Sequence, residues 1–162
     1  MSTQTAYLGI GSNIDAGNNV RSAIQTLRQS FGALSLSPAY RCAPVGFKGD
    51  DFINLVAAVQ TTMTPLELVD FLHGVEDAHG RDRSAAKWSS RTLDIDILLY
   101  GDLWLKSPRL EIPRDEILVF PHVLKPLADL APNLVHPVER ISMAELWSHF
   151  PKERVCLVDF RL

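Results

Sequence analysis

The chain has 162 residues, 46% of them hydrophobic and 22% charged, with a formal net charge of −3. That length suits one domain able to bury a core without disulfides or a structural metal. The acidic balance excludes a global pull toward nucleic acid or an anionic membrane, and no window approaches a membrane span or a basic-then-apolar leader. A cytoplasmic protein with small-molecule partners is expected. Cys42 and Cys156 stand far apart without metal-ligand spacing, which suits free thiols in a reducing compartment.

In chain order, the apolar run at residues 6–11 reads as a strand, and the turn-rich stretch at 11–19 as a loop. Val20, Ala23, Ile24, Leu27 and Phe31 recur at helical spacing, and Gly32 stops the pattern. Leu34, Leu36, Tyr40 and Cys42 alternate with small or polar residues. "FINLVAAV" (52–59) is nearly continuous apolar and reads as a central strand, paired with its predecessor across a loop at 43–51. Thr64, Pro65 and Glu67 form a capping box opening a helix that buries Leu68, Leu72 and Val75 and ends at Gly80. A basic loop leads to the strand in "WSSRTLDIDILLYG" (88–101).

The order to Gly101 is therefore β, α, β, β, α, β, the split βαβ pattern of an α+β, ferredoxin-like fold. The proline-punctuated remainder suggests helices at 122–130 and 142–149 and a last strand near 155–160, an extension over the sheet's second face.

Strand periodicity puts Asp94 and Asp96 on one face and Leu93, Ile95, Ile97 and Leu99 on the other. On a solvated face such a doublet would merely confer solubility. On a covered face, two like charges require a cation, and a site with so few protein oxygens suits magnesium completed by water and phosphate. Upstream lie Arg81, Arg83, Lys87 and Arg91, which are either a solvated basic loop or a polyphosphate clamp. The doublet beside them favours the clamp. Trp88 either packs on the core or stacks on a planar ligand, and Asn54 is either bonded to backbone or reads a ligand edge. No Walker loop, zinc-type histidine spacing or serine elbow occurs.

With "YLGIGSN", "FIN", "HGRDR", "SRTLDIDILLYG" and "LKPLADLAP", the sequence resembles the 6-hydroxymethyl-7,8-dihydropterin pyrophosphokinases of folate biosynthesis over most of its length. The resemblance implies a ferredoxin-like αβα sandwich, a monomer, and pyrophosphoryl transfer from ATP to the pterin's hydroxymethyl group, leaving AMP. It implies that Asp94 and Asp96 hold two magnesium ions while Arg81 and Arg91 steady the phosphates. Asn54 would read the pterin, with Phe52, His122 and the segment Cys42, Ala43, Pro44 and Val45 nearby. Arg83, Lys87, Trp88, Arg109 and Arg114 would lie along the nucleotide.

Three positions depart from the family pattern: Arg114 replaces a histidine, Phe120 an arginine and His122 a stacking phenylalanine. Arg114 retains a cation for phosphate, whereas Phe120 cannot bond it, so an arginine restored at 120 is expected to improve ATP use. His122 can still stack on a flat ring. Three readings follow: a pyrophosphokinase with an altered wall, a relative acting on another heterocyclic alcohol, or a binding protein with little turnover. Formation of AMP separates the first from the third.

Overall fold

A computed structural model describes residues 2–84, 89–155 and 157–162. Lys87, Trp88 and Cys156 lie outside the described residues. The first strand, β1 (Gln4–Ser12), buries Ala6, Leu8 and Ile10 on one face and leaves Gly9 and Gly11 on the other. Helix α1 (Ala16–Phe31) starts inside the segment expected to be a loop. Asp15 adopts φ 45°, and the Asn18 and Asn19 side chains donate back to Asp15 Oδ1 (3.0 Å) and the Ile14 carbonyl (2.7 Å). The turn-forming residues thus stabilise a first helical turn. Gly32, at φ 80°, ends the helix as expected.

Short strands β2 (Ser35–Leu36) and β3 (Ala39–Cys42) precede the long β4 (Phe52–Thr61). Helix α2 (Pro65–Ala78) opens on the predicted capping box, with Glu67 N–H donating to Thr64 Oγ1 and Thr64 N–H donating to Glu67 Oε1. After β5 (Asp94–Tyr100) come the small ribbon β6 (Leu105–Lys106) and β7 (Glu111–Ile112), then α3 (Glu116–Val119), α4 (Pro121–Leu130), α5 (Met143–His149) and β8 (Val158–Phe160).

The main sheet runs β5-β1-β4-β3-β8, with β2 also paired to β4, and its described pairings are antiparallel. The fold is mixed α/β around this sheet. One face packs Leu8, Ile10, Leu55 and Ile95 against the apolar stripes of α1 and α2. The other packs Val56, Leu98 and Leu99 against Ile117, Leu124, Leu127 and Met143, so the C-terminal part covers the second face as its sequence suggests. The Tyr40 hydroxyl donates to Asp129, which also accepts from Lys125 Nζ at 2.6 Å, tying α4 to β3. Among the described residues, no helix is long and apolar enough to cross a membrane.

One expectation fails at a bulge. Tyr7 pairs with Leu99 but its neighbour Leu8 pairs with Ile97, so Leu98 is an extra residue. Alternation resets there. Leu99 leaves the face of Ile95 and Ile97, and it packs with Leu98 and Tyr7 on the second layer, on the side carrying the aspartates.

Candidate active site

The site occupies the part of the second face that α4 and α5 leave uncovered. Its floor follows from register: Gly11 faces Asn54 on β4 and Asp94 on β5, while Gly9 faces Val56 and Asp96. A Cβ on Gly11 would stand 2.6 Å from Asn54 Oδ1. Between Asn54 and the two acids, β1 therefore presents only backbone. Cys42 pairs with Phe52, and Asn54 Nδ2 donates to Cys42 Sγ at 3.1 Å, holding the amide at the cavity.

Asp94 and Asp96 are neither buried nor on open surface, with side chains 39% and 31% exposed. Burial, and then the charge of Asp94, push the Asp96 carboxyl well above the usual carboxylate range, while Arg114 pulls it down. Arg81 donates through Nη1 to Asp94 Oδ1 and the Leu93 carbonyl, both at 2.9 Å. Behind it, buried Glu76 accepts from Arg81 at 3.2 Å, from Arg83 at 2.9 Å and from the Ile95 backbone N–H at 2.7 Å. Burial raises the Glu76 carboxyl above its ordinary value, opposed mainly by the Ile95 bond.

Two hollows meet at the doublet. The first is lined by Cys42, Phe52, Asn54, Arg91, Asp94 and His122, with Ala43, Val45 and Phe120 at its margin. The ring of Phe120 stacks on that of His122, centroids 5.1 Å apart and planes 22° from parallel. Burial lowers the His122 pKa, opposed by Glu116 and Asp94, so the imidazole is neutral at physiological pH. The second hollow runs along the other side of β5 and is lined by Asp96, Arg109, Arg114, Leu72 and His73. There Arg114 pairs with Glu116 at 2.5 Å and approaches Asp96 at 3.8 Å, while Arg109 pairs with Asp70 at 2.6 Å.

Asn13 joins the segments around the first hollow. Its Oδ1 accepts from the Arg91 backbone N–H at 2.7 Å, and its Nδ2 donates to the Asp50 carbonyl at 3.0 Å and Ser90 Oγ at 3.1 Å. The amide is buried, so these bonds replace water that it cannot reach.

The structure thus brings Arg81, Arg91, Asp94, Asp96, Asn54, Phe52, His122 and Arg114 to one region. Arg83 is turned toward Glu76, Asp77 and the His73 carbonyl on α2, and Pro44 is not among the residues lining the cavity. Glu76, Asn13, Glu116 and the two floor glycines are the site residues that sequence reasoning missed. Signals existed for two of them: glycines two apart on a strand bare one face, and Glu76 extends the buried stripe of Leu68 and Leu72.

The donor set can be tested against magnesium. Among the described residues no group of three or more histidine, cysteine or acidic side chains is placed to hold a metal. Two carboxylates remain, one of them strained toward protonation by the other's charge. That combination fits a hard cation that draws its remaining oxygens from water and phosphate.

The family model described as 7,8-dihydro-6-hydroxymethylpterin-pyrophosphokinase matches residues 7–132. The chain is 38% identical over 159 residues to the 2-amino-4-hydroxy-6-hydroxymethyldihydropteridine pyrophosphokinase of Pseudomonas aeruginosa, covering 94% of this chain and 95% of that one. It is 34% identical over 155 residues to the Haemophilus influenzae protein of the same name, covering 93% and 96%. In fold it is similar to the crystal structure of Plasmodium falciparum HPPK-DHPS with pteroate, at TM-score 0.74 and 15% identity, covering 94% of this chain and 44% of that one. A phosphate-handling α/β enzyme is the class these features define. The chain belongs to the 7,8-dihydro-6-hydroxymethylpterin-pyrophosphokinase family.

Proposed function

We propose that this protein transfers the pyrophosphoryl group of ATP to the hydroxymethyl oxygen of 6-hydroxymethyl-7,8-dihydropterin, releasing AMP, as a step of folate biosynthesis. The observation that carries the reading is the placement of Asp94 and Asp96 between two hollows of different character. One offers flat and hydrogen-bonding surfaces, Phe52, His122 and Asn54, suited to a heterocycle. The other offers Arg109 and Arg114, suited to a nucleotide's phosphates. The strand order β5-β1-β4-β3, with α1 and α2 on one face, supports the ferredoxin-like form of the fold.

In this reading the acceptor lies over the glycine floor, where Asn54, held by Cys42, bonds its edge. Its hydroxymethyl oxygen then points toward the doublet, forms a bond to the β-phosphorus and displaces AMP. Asp94 and Asp96 would hold magnesium, which when bound neutralises phosphate charge. Arg81 is held beside Asp94 by Glu76, and Arg91 lies across the cavity with its backbone fixed by Asn13. Such preorganised charge requires little rearrangement as the phosphoryl group moves. Arg114, released from Glu116, supplies a cation to the nucleotide side, compensating for the uncharged ring at position 120.

Incubating the purified protein with ATP, magnesium and the dihydropterin tests the reading. AMP and pterin diphosphate in equal amounts are expected. Absence of AMP while both ligands still bind would replace the enzyme with a binding protein.

A further inference from the structure

We propose that Phe120 is a positioning residue for the acceptor, fixing the His122 ring as one wall of the acceptor cavity; this rests on the function proposed above. Phe120 and His122 both line the hollow that contains Phe52 and Asn54. Phe120 does not line the hollow of Arg109 and Arg114. The stack between the two rings, at 5.1 Å and 22°, leaves His122 little freedom to rotate out of the wall.

The backbone of Phe120 is itself anchored. Its N–H donates to the Glu116 carbonyl at 3.0 Å, and its carbonyl accepts from Val123 and Leu124, each at 3.1 Å. Its ring also packs on the apolar cluster under α4, including Leu124 and Leu127. Rigidity therefore passes from the core through Phe120 to His122. A flat heterocycle meeting a preset ring loses less freedom on binding than one that must order the ring itself. Position 120 thus acts on the acceptor and not on the phosphates, and Phe120→Arg should weaken acceptor use instead of improving ATP use.

The test is steady-state kinetics of the wild type, Phe120→Leu and Phe120→Tyr, following AMP while varying ATP and the dihydropterin separately. Phe120→Leu is expected to raise the acceptor KM about three- to tenfold, the scale of one aromatic pair. The ATP KM should stay within about twofold, and Phe120→Tyr should restore the acceptor KM. A rise confined to the ATP KM, or a tyrosine variant no better than leucine, overturns the proposal. If the wild type makes no AMP, the function fails first, and dihydropterin affinities by calorimetry must then follow the same order or the proposal fails too. Should Phe120→Leu not fold, the wild-type His122 ring protons decide by NMR: dihydropterin must shift them, and unmoved resonances overturn the proposal.

Discussion

The Glu76 carboxylate accepts the backbone N–H of Ile95, the residue between the two acids, at 2.7 Å. Strand β5 ends the sheet, so among the described residues this edge has no strand to pair with it. A buried carboxylate replaces the missing ladder bond and also holds two arginines.

Glu76→Ala should therefore cost about 3 kcal/mol, the scale for stranding buried partners of an ion pair. Glu76→Gln can still accept from Ile95 and should lose less stability. Both should lower turnover, because Arg81 loses the anion that aims it at Asp94. Urea unfolding and kcat measured on both variants separate the structural from the chemical effect.

Asp96→Asn removes a charge that its own surroundings oppose. Without magnesium the variant should be at least as stable as the wild type. Magnesium with a non-hydrolysable ATP analogue should raise the Tm of the wild type and leave that of the variant unmoved. Asp96→Ala should likewise fold, since Asp96 is a site side chain and not a core contact; unfolding of either variant would contradict this placement.

Gly11→Ala puts a methyl where Asn54 Oδ1 stands, at 2.6 Å. Asn54 must swing away, disturbing its bond to Cys42. The acceptor KM should rise by about tenfold, the value of one lost hydrogen bond, with ATP affinity unchanged. Calorimetry with each ligand separately checks it.

His136 is buried, and its Nδ1 accepts the backbone N–H groups of Val138 at 3.2 Å and Glu139 at 3.0 Å, which assigns the ring proton to Nε2. Burial lowers its pKa below the ordinary 6.5, against Glu139 and Asp115. The unfolded chain then takes up the proton more readily than the folded one. Stability should be full above pH 6.5 and fall as pH drops toward the lowered folded value. His122, also lowered, adds in the same direction. His136→Asn, whose Oδ1 can accept the same N–H groups without titrating, should flatten part of the slope in Tm measured against pH.

Local chemistry carried most of what the sequence disclosed. Thr64 and Glu67 complete their box within one helical turn, and Asp94 and Asp96 share a face because strand geometry alone requires it. Family motifs led to Asn54 and Arg91. The failures share a different cause, dependence on a distant partner. Asn18 and Asn19 read as loop formers, yet in place they bond a helix's first turn. Glu76 is explained only once the bare edge of β5 lies against α2, and the position of Leu99 depends on an irregularity in pairing with β1. Phe120 looked like a missing phosphate contact until its ring was seen against that of His122.

The bulge at Leu98 has a further consequence for how the chain can be divided. By turning Leu98 and Leu99 to the same side, it makes the acid-bearing strand the apolar seat of everything after Gly101. A fragment truncated there would retain every acidic ligand yet strip the cover from Val56, Leu98 and Leu99, and such bared surface promotes aggregation. The C-terminal third is thus structurally inseparable from the strand that carries the chemistry.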